Sequence, residues 1–139
     1  MRTVDVMTGA LVCIWAWAIR RVGGFDESYP LYVEDVDLCD RVRTLGPLVQ
    51  FPGVVGVHVG GVCAASAPVA TAVLLHASRV RYWRARSRLA GAAARLTVVA
   101  GCGLRRLRHP SRRGTPLRAL IRASTPDFAL ASLLPPYQG

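Results

Sequence analysis

Residues 4–14, VDVMTGALVCI, are almost continuously apolar and rich in β-branched side chains. A run of that length and kind predicts a buried strand, or a strand pair around Gly9, within an α/β sheet. Residues 15–22 carry a short helical pattern, and Gly23 stands where a left-handed residue ends a helix. Pro30 keeps residues 25–33 out of helix. Over residues 34–45, Leu38, Val42 and Leu45 share one face with Cys39 beside them, which predicts a helix closed by Gly46 and Pro47. On that helix Asp37 is placed to pair with Arg41, and Asp40 with Arg43. Residues 48–51 and 54–59 read as two short strands around Pro52 and Gly53, and residues 60–68 as a loop of small residues.

From residue 69 the pattern changes. Residues 69–88 read as one long helix, with a possible continuation through 89–99. Val69, Val73, His76, Val80 and Trp83 form a narrow stripe on it, with Arg79 and Arg86 on one border and Arg81, Arg84 and Arg88 on the other. Arginines bordering an apolar stripe suit a helix lying in a membrane interface, where they reach lipid phosphates. Residues 105–113, RRLRHPSRR, form an exposed basic run, and the tail from residue 114 carries Pro116, Pro126, Pro135 and Pro136 and is expected to be loosely structured. No apolar run reaches the roughly 18–20 residues of a spanning helix.

Composition sharpens this picture in two ways. The 139 residues suffice for one ordinary domain and its core. All 18 basic residues are arginine, and the net charge of +10 predicts an anionic partner: nucleic acid, anionic lipid or a phosphorylated substrate. The basic run lacks nearby aromatic side chains for base stacking, so nucleic acid is not the expected partner. Cys13, Cys39, Cys63 and Cys102 form no Cys-x-x-Cys pair and no zinc spacing, and are expected to be reduced, mostly buried thiols of a cytosolic protein. Second, seven of the eight acids lie at or before Asp40. Five of them, Asp26, Glu27, Glu34, Asp35 and Asp37, fall in GGFDESYPLYVEDVDLC, residues 23–39. A carboxylate pair opening a helix is favoured by the helix dipole and by unpaired first-turn N–H groups whatever its further role. The same pair also has the chemistry of a proton acceptor.

The ordered set MTGALVCI, GGFDESYPLYVEDVDLCDRVRTLG and PGVVGVHVGG resembles the C-terminal half of a family 2 glycosyltransferase of the GT-A fold, in particular the rhamnosyltransferase-like enzymes acting on polyprenyl-diphosphate-linked sugars. The resemblance covers about residues 4–63. It implies an α/β fold: the C-terminal half of a GT-A-type mixed sheet with helices over residues 1–63, a basic amphipathic, membrane-interfacial helical region over 64–113, and a loose tail over 114–139. It implies that Asp35 is the catalytic base of an inverting transfer. Glu34 and Asp37 would orient it or hold acceptor hydroxyls, Gly9 and Ala10 would line the acceptor side, and Gly24, Phe25 and Asp26 would shape the floor of the site. His58 matches a histidine that in some members completes a metal site; a lone histidine at a strand end is otherwise a packed side chain. Gly60 and Gly61 would allow close backbone approach there.

The departures from the family pattern are as informative. Cys63 and Ala64 stand where relatives usually carry serine or another polar residue. The family's nucleotide-binding half, with the Asp-x-Asp motif that holds Mg²⁺ or Mn²⁺ against the donor diphosphate, has no counterpart; Asp35-Val36-Asp37 has the spacing but lies in the acceptor-side motif. The expectation is therefore a partial transferase that is inactive by itself: a truncated product, a mispredicted start or a fragment. In a complete enzyme a sugar nucleotide, with dTDP-rhamnose as the implied donor, would supply sugar to a lipid-linked or other cell-envelope glycan at the inner face of the plasma membrane. The alternative is a non-catalytic basic module that binds an anionic membrane surface or another protein. His76, in the apolar stripe, is expected to be packed or interfacial, and His109 solvated.

Overall fold

The computed structural model describes residues 1–58 and 68–108. Among them are four helices and one two-stranded sheet, in the order β1 (Arg2–Val4), α1 (Ala16–Val22), α2 (Glu34–Arg43), β2 (Leu48–Gln50), α3 (Pro68–Arg86) and α4 (Arg88–Arg108). They form two compact units: Met1–Tyr29 with the residues from Val33 through β2, and Pro30–Tyr32 with α3 and α4.

In the first unit β1 and β2 pair antiparallel, with Arg2 opposite Gln50, Thr3 opposite Val49 and Val4 opposite Leu48. Ala18, Tyr29, Val33, Leu38, Cys39 and Leu48 are its buried apolar residues. Helix α1 ends in a Schellman arrangement: Gly23 lies at φ 80°, its N–H donates to the Arg20 carbonyl, and the Gly24 N–H donates to the Ile19 carbonyl. A left-handed residue costs glycine nothing here, so the expected stop at Gly23 is what forms.

Two strand expectations fail. Beyond Val4, residues 5–15 carry no strand, and neither do residues 54–58. A β-prone sequence becomes a strand only beside a partner, because the favourable terms are cross-strand packing and ladder bonds. In the first run the backbone bonds go to side chains instead: the Met7 N–H donates to Cys39 Sγ at 3.4 Å and the Gly9 N–H to Asp35. In the second, Val54, Val55 and Val57 all face solvent.

The single long helix expected over residues 69–88 is the first arm of a helical hairpin. Ser87 separates α3 from α4, and its Oγ accepts from the Ala90 N–H at 3.3 Å, the N-cap arrangement that starts a new helix. The chain then folds back, so that Val98 and Cys102 of α4 pack on Val73, Leu74 and Ala77 of α3. Leu31 joins this core, and the fully buried Ser78 hydroxyl donates to the Leu31 carbonyl at 3.1 Å. Each buried Val or Leu stabilises the hairpin by about 1.5–3 kcal/mol. The stripe expected to face a membrane is therefore turned partly inward: Val73 and Val80 are buried, and only Val69 and Trp83 keep substantial exposure. Packing wins because α4 offers a matching apolar surface within the same chain. No helix among the described residues is long and apolar enough to cross a membrane.

His76 is half-buried in this hairpin and its Nδ1 has no hydrogen-bond partner among the described residues. Burial lowers its pKa from the ordinary 6.5, and the positive charges of Arg79 and Arg105 lower it further. The folded hairpin thus favours neutral imidazole. Its stabilisation is full above 6.5 and is lost as pH falls through 6.5 toward the lowered folded value. Thermal unfolding followed by helical circular dichroism should show a lower midpoint at about pH 5 than at neutral pH, and His76→Gln should shrink that difference.

Arg105, Arg106 and Arg108 are exposed, as expected of the basic run, but belong to the last turns of α4. Cys39 is buried, Cys102 half-buried and Cys13 exposed, and no disulfide joins these three. The expectations placed on Gly60, Gly61, Cys63, Ala64, His109 and the tail from residue 114 lie outside the described residues.

Candidate functional site

The N-terminus of α2 carries the acidic pair. The residue before it, Val33, lies at φ 73°, and Tyr32 at φ 65°. Left-handed backbone is unfavourable for any side chain and most of all for a β-branched one, at a cost of about 1–3 kcal/mol per residue. This sharp entry sets Glu34 and Asp35 in the first turn of α2.

Asp35 ties the first turn of α2 to the MTGA segment. Its Oδ1 accepts from the Val36 N–H at 2.8 Å, satisfying a first-turn donor. Its Oδ2 accepts from the Gly9 N–H at 3.0 Å, across 26 positions of sequence. A Cβ added to Gly9 would lie 3.7 Å from Asp35 Cβ, so the MTGA segment passes directly against the carboxylate. An ionised carboxylate offers about four acceptor positions. Two are used by backbone N–H groups, which fix its orientation. One side chain thus supports the first turn of α2 and is held in a fixed orientation against the MTGA segment.

Glu34 lies half-buried beside it, and its Oε2 has no hydrogen-bond partner among the described residues. Burial raises the Glu34 carboxyl above its ordinary value; a backbone hydrogen bond partly offsets this, and the neighbouring charge of Asp35 adds to the rise. Glu34 therefore keeps its proton to higher pH than an exposed carboxyl does. A carboxyl in that setting can donate or accept a hydrogen bond.

Asp37 is committed elsewhere. Its Oδ2 accepts from Arg41 Nε at 2.8 Å, the expected i,i+4 pair. Arg41 Nη1 in turn donates to the Val22 and Gly24 carbonyls at 2.7 Å each. Asp37 thus aims a guanidinium that pins the end of α1 to α2, a structural tie rather than a free acceptor contact. Removing Arg41 leaves a largely buried carboxylate and two carbonyls unpaired. Arg41→Met should destabilise the first unit by about 2–3 kcal/mol, measurable by urea unfolding.

The remaining candidates are spread around this centre. Ala10 is exposed next to Gly9, and Phe25 is half-exposed. Asp26 builds the loop, its Oδ1 accepting from the Ser28 N–H at 2.9 Å while its carbonyl accepts from the Tyr29 N–H at 3.0 Å. The other expected pair, Asp40 with Arg43, forms at 3.8 Å, and Arg43 also reaches Asp5 at 3.1 Å; both are open to solvent and contribute little. His58 is exposed, and no three His, Cys, Asp or Glu side chains gather as a metal site among the described residues. One exposed histidine does not by itself make a site for the implied Mg²⁺ or Mn²⁺. Sequence reasoning missed the carbonyl contacts of Arg41 and the left-handed Tyr32–Val33 entry. The first had a partial signal in the Asp37–Arg41 spacing; the second had none, since valine disfavours that conformation.

Comparison with known proteins adds a partial relation. Two relatives from Mycobacterium tuberculosis (strains CDC 1551 / Oshkosh and ATCC 25618 / H37Rv) are each an N-acetylglucosaminyl-diphospho-decaprenol L-rhamnosyltransferase. Each is 44% identical to this chain over 45 residues, which is 32% of this chain and 15% of the relative. The chain is thus related to a glycosyltransferase over a short stretch, and matches only a small part of the length of these curated relatives. No protein-family model matches it. No solved structure matches it.

Proposed function

We propose that this chain carries the acceptor-side, base-bearing part of an inverting glycosyltransferase. The observation that supports it most is the Gly9–Asp35 hydrogen bond, which joins two motif segments 26 positions apart around one oriented carboxylate. In the proposed reaction an acceptor hydroxyl enters beside Asp35. Its oxygen attacks the anomeric carbon of a sugar nucleotide while a free Oδ position of Asp35 takes the hydroxyl proton. The bond from the anomeric carbon to the diphosphate breaks on the opposite face, the nucleotide diphosphate leaves with that electron pair, and the configuration inverts. Such a base must lie about 2.6–3.2 Å from the hydroxyl it serves. Glu34 holds a neighbouring hydroxyl. A sugar attached to a prenyl diphosphate is the proposed acceptor and rhamnose the proposed sugar, both supported by the resemblance and by the names of the relatives.

The test is a chimera. The part of the mycobacterial rhamnosyltransferase that corresponds to residues 4–63 is replaced by those residues of this chain, and rhamnose transfer to its lipid-diphosphate acceptor is measured. Transfer supports the reading. A folded chimera that still binds sugar nucleotide but transfers nothing overturns it.

A further inference from the structure

The hairpin buries one face of α4 and, among the described residues, leaves the opposite face exposed. At about 100° per residue, Leu89, Ala93, Leu96, Ala100 and Leu107 fall within about 40° of one line along this helix. All five are exposed, and the leucines are strongly so: Leu89 84%, Leu96 71% and Leu107 79%. Gly91, Val98 and Cys102 lie on the other side, where Val98 and Cys102 meet α3. Lone exposed leucines are ordinary, but a row of them along a 21-residue helix is a continuous apolar face.

The charges around the row identify what covers it. Arg88, Arg95 and Arg106 run along one border and Arg108 stands on the other. Across residues 68–108 there are nine arginines and no acid. A shallow depression of about 410 Å³, lined by Ala92, Arg95, Leu96 and Val99, sets one guanidinium against apolar walls. A second copy of this chain would bring a like-charged surface against these arginines. Nucleic acid would satisfy the arginines but offers nothing to a row of leucines. An anionic bilayer satisfies both, with acyl chains beneath the leucines and phosphates at the level of the guanidinium groups.

We propose that the outward face of α4 docks flat on an anionic lipid bilayer, its leucine row entering the interface and its bordering arginines meeting lipid phosphates. This moves the membrane surface expected from sequence off α3 and onto α4. The inference is independent of sugar transfer, since it requires neither donor, acceptor nor divalent ion.

The test is co-sedimentation of the full chain with phosphatidylserine-containing vesicles and with pure phosphatidylcholine vesicles, over a range of salt. Binding is expected to the anionic vesicles and to weaken as salt rises. Leu89→Ser combined with Leu96→Ser should weaken it about tenfold or more, through lost apolar insertion. Arg95→Gln combined with Arg106→Gln should weaken it about tenfold or more and flatten the salt dependence. Both variants alter exposed positions, and circular dichroism should show the helical content unchanged. Four results overturn the proposal: vesicle binding that ignores the leucine substitutions; binding to duplex DNA with none to vesicles; self-association that the leucine substitutions abolish, with no vesicle binding; or no vesicle binding with the leucine row shielded from labelling by the chain's own residues after Arg108.

Discussion

Asp35→Asn, placed in the rhamnosyltransferase chimera, is expected to lower sugar transfer by about 10²–10⁴-fold, the usual contribution of a positioned general base. The asparagine side chain keeps the shape of aspartate, and its carbonyl oxygen can still accept from the Gly9 or Val36 N–H, each now within 3.0 Å of the carboxylate. What it loses is the capacity to take a proton from the attacking hydroxyl. The loss should therefore fall on kcat, with sugar-nucleotide affinity and the unfolding midpoint close to those of the parent. A purely helix-supporting Asp35 gives the opposite pattern: loss of its charge beside the helix N-terminus lowers stability by about 0.3–1 kcal/mol, with transfer nearly intact. Glu34→Gln separates the two carboxylates further. It removes a half-buried carboxyl whose pKa is raised by burial, and should alter acceptor binding more than the chemical step.

Gly91→Ala is expected to destabilise the helical hairpin by about 2 kcal/mol, although alanine is the better helix former. A Cβ at Gly91 would lie 2.6 Å from Arg84 Cβ and 2.8 Å from Arg84 Cα, and a backbone atom cannot swing aside as a side-chain tip does. Overpacking of this kind costs about 1–3 kcal/mol, here at the upper end, offset by up to about 1 kcal/mol of helix propensity. Gly101→Ala is the control, because its added Cβ meets nothing within 4 Å. That substitution should stabilise the same helix by about 0.5–1 kcal/mol. Opposite shifts in thermal unfolding from one chemical change on one helix would confirm that α3 and α4 cross tightly at residue 91. Equal shifts of the same sign would show that they do not.

Much of the candidate site was legible in the chain. The acid pair at the start of a helix, the glycine stop after α1 and the Asp37–Arg41 pair are local features, and each forms where its spacing places it. The neighbours of Asp35 were legible only through resemblance. Nothing in the spacing of Gly9 and Asp35 says that they meet, because a contact across 26 positions depends on how the intervening chain turns. Asp37 shows the reverse. Its composition and position suited a substrate contact, but Arg41 reaches two carbonyls from α1 and commits the carboxylate to holding the unit together.

The strand and helix expectations divide along the same line. Helices α1 and α2 depend on bonds within their own few residues, and their sequence alone determined them. The apolar runs at residues 5–14 and 54–58 carry strand-forming side chains, but a strand requires a neighbour at its edge, and only Arg2–Val4 and Leu48–Gln50 find one among the described residues. The pattern from residue 69 determined that the region is helical, basic and amphipathic. Tertiary structure alone decided that the helix breaks at Ser87, that α3 turns its valine stripe inward, and that the exposed apolar face belongs to α4. The physical reason is that two apolar stripes on one chain can bury only the faces they turn toward each other. Periodicity shows that such stripes exist; only the fold-back selects which one remains outside.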